Sequence, residues 1–147
     1  MLIVLAGVLG LLALTGCGGY QLRGKVIEGT FSGIEIVSKD DPRLGEPGVG
    51  GVSLHLQNDP NRLNRETIVR GSSGPDGSFE LPVDLTGAGL LEYDVGLFAR
   101  RKGLAPAQSA FRLPSSGRRV LITMAPGEDR DLGEERTDPL SRFDDFR

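Results

Sequence analysis

Cys17 is the one cysteine of this 147-residue chain, and its thiol is the strongest nucleophile that the sequence contains. It stands directly behind Leu14-Thr15-Gly16, at the end of an apolar N-terminal run. With no second cysteine, the chain cannot form an intramolecular disulfide.

His55 is the only histidine, and its alternation with Leu54 and Leu56 puts it on the polar face of a predicted strand. A zinc site needs about three or four nitrogen or sulfur ligands, which one histidine and one cysteine cannot supply. The G-x-S-x-G spacing of a nucleophile elbow is absent, and the nearest match, Gly71-Ser72-Ser73-Gly74, is better explained as a flexible loop. We therefore expect no catalytic residue, no metal and no cofactor.

Charged residues near predicted turns offer two weaker kinds of site. Four aspartates could supply oxygens to calcium: Asp40, Asp41, Asp59 and Asp76. Because calcium takes about six to eight oxygen ligands and these residues are scattered, turn formation is their expected role. Two basic clusters, Arg100-Arg101-Lys102 and Arg118-Arg119, are expected at one end of the fold, facing anionic lipid or an acidic partner, or acting as solvated loop charge. The net charge of −3 gives no reason to expect nucleic-acid binding.

The N-terminal segment has the features of a cleaved leader. Leu2–Leu14 is a run of 13 residues without a charge. This length falls within the roughly 7–15 residues of a signal-peptide core, and it is shorter than the ~20 residues that a helix needs to span a bilayer. Together with Cys17 it resembles the lipobox of bacterial lipoproteins. The resemblance implies removal of residues 1–16, lipidation of Cys17 and a location in the cell envelope. The leader lacks Lys and Arg, so either the start lies upstream or the α-amine of Met1 suffices.

Gly18 refines the predicted location. A glycine rather than an aspartate follows the cysteine, which resembles signals that permit export to the outer membrane of a diderm host. Residues 17–21 are then a lipidated tether, and residues 22–126 a single domain. Residues 127–147 are predicted to be an acidic, disordered tail, because residues 128–147 hold eight acids and four arginines. Phe143 and Phe146 are the exceptions, and they could form a short docking peptide.

Between the tether and the tail, apolar residues recur at every second position, which is typical of half-buried β-strands. Val52, Leu54 and Leu56 are the clearest example. Further strands are predicted at Leu22–Ile27, Ile34–Val37, Thr67–Val69, Phe79–Leu81, Leu91–Leu97, Ala110–Leu113 and Val120–Met124. Pro75-Asp76-Gly77 predicts a hairpin between the Thr67 and Phe79 strands, and Arg62–Glu66 could form one helical turn. About seven strands with short turns predict an all-β, antiparallel β-sandwich.

Three segments resemble the transthyretin-like, or carboxypeptidase regulatory-like, β-sandwich domains. Pro47–Leu56 resembles their P-x-x-G-V-x-V-x-L strand, with one extra residue between the proline and the Gly-Val pair, and Gly74–Leu81 resembles their D-G-x-F-x-(L/I) hairpin. Tyr93–Leu97, followed by Lys102-Gly103 and by Val120–Met124, resembles their later strands and glycine turn. The resemblance implies a structural domain. Enzymes with a transthyretin-like fold use several histidines, or two tyrosines with two histidines on iron, and this chain has one histidine.

These features together predict a non-enzymatic, lipid-anchored protein of the cell envelope. We expect a structural or protein-interaction module that contacts the membrane through the lipid on Cys17 and has a possible partner among envelope proteins. The main alternative is a lipoprotein that binds a small ligand or glycan with the end loops of its sandwich, and a third, weaker alternative is an accessory subunit of an enzyme. The chain contains no tryptophan, which weakens the case for a glycan-stacking surface.

Overall fold

The computed structural model describes residues 19–63 and 65–128. The predicted leader, Cys17 and the tail beyond Glu128 lie outside the described residues. Among the residues described, no helix has the length and apolar character needed to cross a bilayer. The elements are β1 (Gln21–Glu28), β2 (Gly33–Ser38), a 3-10 helix (Pro42–Gly45), β3 (Ser53–Asn58), β4 (Glu66–Ser72), β5 (Ser78–Pro82), β6 (Asp94–Arg100), β7 (Ala107–Arg112) and β8 (Arg118–Met124).

The eight strands form two four-stranded sheets, which confirms the predicted all-β sandwich. Sheet I has the order β2-β8-β1-β5, and sheet II has the order β4-β3-β6-β7. Every pair is antiparallel except β1 and β8, which run parallel from Gly24 opposite Val120 to Glu28 opposite Met124. This one pair departs from the predicted antiparallel arrangement. A parallel pair needs a long crossover, and the whole of the intervening domain supplies it.

The core lies between the sheets and is built from the alternating residues of the predicted strands. Val52, Leu54 and Leu56 are buried, and so are Phe79 and Leu81 of β5. Their burial confirms the period of two, because inward and outward side chains alternate along each strand.

A second, smaller apolar cluster covers the outer face of sheet I. Leu121 points away from the main core, yet it is fully buried against Ile27 and Val37. The 3-10 helix in the connection from β2 to β3 lies over these residues, with Leu44 packed on the cluster. Lys25 Nζ donates a hydrogen bond to the Leu44 carbonyl at 3.0 Å, which holds this cover on β1.

Asp41 and Arg43 stabilise that cover. The Asp41 carboxylate accepts hydrogen bonds from the Arg43 backbone N–H at 2.9 Å and from its guanidinium, and Arg43 also reaches Glu35 at 2.7 Å. The hydrogen bonds from Arg43 hold the pKa of Asp41 below its ordinary value. The sequence analysis missed this helix and suggested one helical turn at Arg62–Glu66, where the described residues Arg62 and Leu63 form bends and Glu66 begins β4.

The prediction of a hairpin at Pro75-Asp76-Gly77 is wrong, although a tight turn forms there. β4 belongs to sheet II and β5 to sheet I, so the turn carries the chain from one sheet to the other. Gly77 has a φ of +83°, and its carbonyl accepts a 2.8 Å hydrogen bond from Val26 N–H. The turn is thus bonded to β1, and local turn chemistry cannot tell such a crossing from a hairpin.

The predicted strand Leu91–Leu97 begins three residues later, at Asp94. Gly87 and Gly89 both have positive φ, and Leu91 N–H donates to the Gly87 carbonyl at 2.8 Å. Leu91 therefore belongs to a turn, and its side chain is exposed. The alternation of apolar residues begins before the strand does, because it does not show where the backbone starts to pair with the neighbouring strands.

We expect Gly77→Ala to lower the free energy of unfolding by at least about 2 kcal/mol more than Gly103→Ala. Both glycines have positive φ, so both substitutions carry a left-handed backbone strain of about 1–2 kcal/mol. Only Gly77 is crowded: a Cβ there would meet the Val26 carbonyl oxygen and lie 2.6 Å from the Gly48 Cα, whereas nothing lies within 4 Å at Gly103. Urea denaturation measures the difference, and equal losses would contradict the packing of this turn on β1.

Candidate functional site

His55 lies on the outer face of sheet II, between Arg70 of β4 and Phe98 of β6 in the strand register. Its Nε2 is 2.8 Å from Thr67 Oγ1, and its ring centroid is 6.0 Å from that of Phe98. Partial burial, and secondarily the Arg70 charge, lower the pKa of His55 below its ordinary value. The imidazole is neutral at pH 7 and weakly basic, with a hydroxyl as hydrogen-bond partner. This environment suits a sheet-surface histidine that packs on its neighbours.

Ser72 and Ser73 do not form the flexible loop that the sequence predicted. Ser72 is the last residue of β4, and Ser73 is buried. Ser73 Oγ donates to the Val49 carbonyl at 2.7 Å and accepts from Val52 N–H at 3.0 Å. Its hydroxyl therefore ties the end of β4 to the segment that leads into β3.

The aspartates at turns serve the backbone. Asp76 Oδ1 accepts hydrogen bonds from the N–H of Ser78 at 3.1 Å and from its hydroxyl at 2.6 Å, which lowers the pKa of Asp76. Asp59 adopts a positive φ of 45° in the turn after β3. In residues 19–63 and 65–128, no group of three or more His, Cys, Asp or Glu side chains is arranged to hold a metal ion.

The two basic clusters lie at opposite ends of the sandwich, so the prediction that they share one end is wrong. Arg118 and Arg119 begin β8, beside the start of β1 and opposite the end of β2. Arg100 ends β6 opposite Ser53, where β3 begins. The separation follows from strand direction, because β6 and β8 start at the same end of the sandwich, and one cluster lies where β8 starts whereas the other lies where β6 ends.

A cleft of about 450 Å³ is lined by residues of β1, β5 and β8 of sheet I and by one residue of β4. All of its lining residues belong to strands: Arg23, Gly24, Ser72, Ser78, Phe79, Glu80 and Arg119. Arg23 and Glu80 form an ion pair of 3.3 Å across adjacent strands. The cleft thus differs from the ligand site that the sequence suggested, which would be built from end loops.

Tyr20 fixes the point where the chain enters the fold, and the sequence had placed it in the tether. Its hydroxyl donates to the Pro114 carbonyl at 2.5 Å, and its own carbonyl accepts from Val83 N–H at 3.0 Å. Its ring packs against the main core, and burial raises the pKa of its hydroxyl. Gln21, also assigned to the tether, is the first residue of β1. The signal available in the sequence was the tyrosine itself, because a tyrosine ring tends to pack on a core while its hydroxyl finds a hydrogen-bond partner.

We call the end of the sandwich where β1 begins the entry end, and the opposite end the far end. Strand direction places three connections at the entry end: the β3–β4 loop, the β5–β6 loop (residues 83–93) and the β7–β8 loop (residues 113–117). The β1–β2 loop (residues 29–32) and the β6–β7 loop (residues 101–106) lie at the far end. Cys17 precedes Tyr20 by three residues, so a lipid on its sulfur would attach to the entry end.

Comparison with known protein families finds no family that matches this chain, and comparison with curated proteins finds no matching sequence.

We expect Arg70→Gln to raise the pKa of His55, because it removes a like charge from the neighbouring strand. A histidine whose pKa is lowered by folding binds fewer protons in the folded state than in the unfolded state. The free energy of unfolding therefore falls as the pH drops from about 6.5, the pKa in the unfolded chain, through the lower pKa of the folded state. Because Arg70→Gln brings the two pKa values closer together, the pH range over which this stability is lost becomes narrower. Proton NMR titration of the single imidazole measures the pKa. An unchanged pKa of His55 would contradict the contribution of the Arg70 charge. The control is Arg112→Gln, which removes an arginine from β7, the other edge strand of sheet II.

Proposed function

We propose that this protein is a lipid-anchored β-sandwich of the cell envelope that acts as a structural or protein-interaction module. The observation that carries the proposal is Cys17 at the end of Leu14-Thr15-Gly16, behind an uncharged apolar run. Cleavage before Cys17 makes it the first residue of the mature chain. Two or more acyl chains at that residue give stable attachment, whereas one chain gives marginal binding.

The transthyretin-like identity belongs to the same proposal. It is supported by where the resembling segments fall: one covers β3, the second covers the crossing turn and β5, and the third covers β6 and β8. Within these segments, the apolar residues Val52, Leu54, Leu56 and Leu81 are buried in the core. Phe79 fills the core directly after the turn, and Gly77 supplies the positive φ.

The edge of sheet II supports an interaction role. β4 pairs with β3 on one side and forms the edge of the sheet on the other. Most of β4 is exposed: Glu66, Thr67, Arg70, Gly71 and Ser72. An exposed edge offers backbone N–H and C=O groups to an added strand, and its side chains select the partner.

Cys17→Ser tests the anchor. We expect the variant to keep its leader and to lose all acyl labelling, because the oxygen of serine does not take the place of the sulfur in lipoprotein processing. Metabolic labelling with an alkyne fatty acid and the intact mass of the purified protein measure both effects. A labelled Cys17→Ser protein would contradict the proposal. Wild-type protein that carries acyl chains but fractionates with the inner membrane alone would contradict the outer-membrane location.

Co-purification from detergent-solubilised envelope tests the interaction role. We expect a stoichiometric protein partner with the wild type, at least a fivefold loss of it with Arg70→Glu on β4, and retention with Gln108→Glu. Gln108 is an exposed residue of β7, the opposite edge strand of the same sheet. Equal retention by both variants would contradict a partner site on β4. A bound small molecule in native mass spectra, with no protein partner, would favour the ligand-binding alternative.

A further inference from the structure

Large apolar side chains are exposed unevenly over the sandwich. Among the residues described, four are exposed: Phe31 at 58%, Leu63 at 103%, Leu90 at 91% and Leu91 at 56%. Leu63 lies in the β3–β4 loop, and Leu90 and Leu91 lie in the β5–β6 loop, so three of the four belong to the entry end. Phe31 lies in the β1–β2 loop at the far end. Exposed leucines gathered at one end of a domain mark a contact surface.

The β5–β6 loop holds Leu90 outward on a defined backbone. Gly87 and Gly89, with φ of +73° and +85°, flank the turn, and Leu90 N–H donates to the Gly87 carbonyl at 3.0 Å. Gly89 lies directly on the Tyr20 ring, since a Cβ there would be 2.6 Å from Tyr20 Cδ2. The loop that presents Leu90 is therefore packed on the residue where the tether joins the fold.

The length of the tether sets how far this surface can stand from the bilayer. Cys17 is three residues from Tyr20, and three residues of extended chain span at most about 11 Å. Tyr20 is fixed to the fold through Pro114 and Val83. If the lipid on Cys17 enters the bilayer, as the proposed function requires, Tyr20 lies within about that distance of its surface, and the β5–β6 loop that packs on the Tyr20 ring is close to it.

The charges at the entry end nearly cancel. The three loops carry two arginines, Arg62 and Arg65, and three acids, Asp59, Asp84 and Glu92. Their sum is −1, and Arg118 and Arg119, which begin β8 directly after the third loop, bring it to +1. Leucine side chains held next to the membrane by a tether can enter the interface without a strong attraction to anionic headgroups, because the tether makes their local concentration at the surface high.

From these observations we propose that Leu63, Leu90 and Leu91 insert into the interfacial region of the bilayer and orient the sandwich on the membrane. The entry end then faces lipid, while the far end, the β4 edge and the outer face of sheet II stay in the aqueous space. The inference rests on the proposed lipid anchor and adds to it a defined orientation. Lipid anchoring by itself leaves a domain free to tumble about its tether.

Tryptophan reporters test this orientation, since the chain has no tryptophan of its own. The acylated full-length mature protein is reconstituted in phosphatidylcholine vesicles that contain acyl-brominated lipid, as Leu90→Trp and, for comparison, Phe31→Trp. Both positions are exposed and apolar, and they lie at opposite ends of the sandwich. We expect emission from the Leu90→Trp protein to shift to the blue and to be quenched at least threefold more strongly. Equal quenching of the two reporters would overturn the inference.

Leu63→Trp, on the other entry-end loop, is a second reporter and should behave like Leu90→Trp. Adding Leu90→Ser and Leu91→Ser to the Leu63→Trp protein should reduce the quenching of this tryptophan at least twofold, because fewer apolar side chains then hold the loops at the interface. No change on that substitution would show that the tether alone brings the loop close to lipid, and would overturn the inference.

Flotation of the same samples separates this inference from the anchor. Protein that floats with the vesicles and shows equal quenching retains the anchor and contradicts the orientation alone. Protein that stays at the bottom of the gradient contradicts the anchor, and the orientation falls with it.

Discussion

The parallel pairing of β1 with β8 in the middle of sheet I is the constraint on which the rest of the structure depends. It joins the first strand of the domain to the last, over five register pairs, and buries Val26 against the same core as Val120 and Ile122. The remaining strands of sheet I, β2 and β5, attach to the two sides of this pair. Closing so long a segment of chain is entropically costly, so the pair is stable only when the whole core forms with it.

That pairing also decides which end of the sandwich receives the tether. Because β1 runs parallel to β8 and starts beside it, the chain enters next to the β7–β8 loop, and Tyr20 bonds to Pro114 there. The β5–β6 loop packs on the ring of Tyr20 through Gly89. The exposed leucines and the predicted lipid therefore come to the same end through backbone topology, although they are far apart in sequence.

Most polar side chains that could have done chemistry are engaged in holding the backbone. Ser73 bridges two chain segments, Asp76 closes a turn, and Asp41 caps the 3-10 helix that covers the outer face of sheet I. These groups are satisfied by local hydrogen bonds, and buried or turn-forming polar groups of this kind are normally used in that way. In the part of the chain that the structure describes, the β4 edge, the cleft and the leucines of the entry end remain exposed, and the proposed interaction role rests on these surfaces.

The sequence by itself determined the class of fold, the positions of most strands and many of the core residues. The reason is that burial of one face of a strand places apolar residues at every second position of the sequence. It also supplied the turn at Gly77, whose positive φ only glycine adopts without strain. The tertiary structure alone decided that this turn crosses between sheets, that β1 and β8 run parallel, and that Leu121 is buried on an outward face. These outcomes depend on contacts between residues that are distant in sequence, and a local sequence pattern does not specify such contacts. The same reason explains why Leu63 and Leu90 could be recognised as one surface only after the strands had been placed.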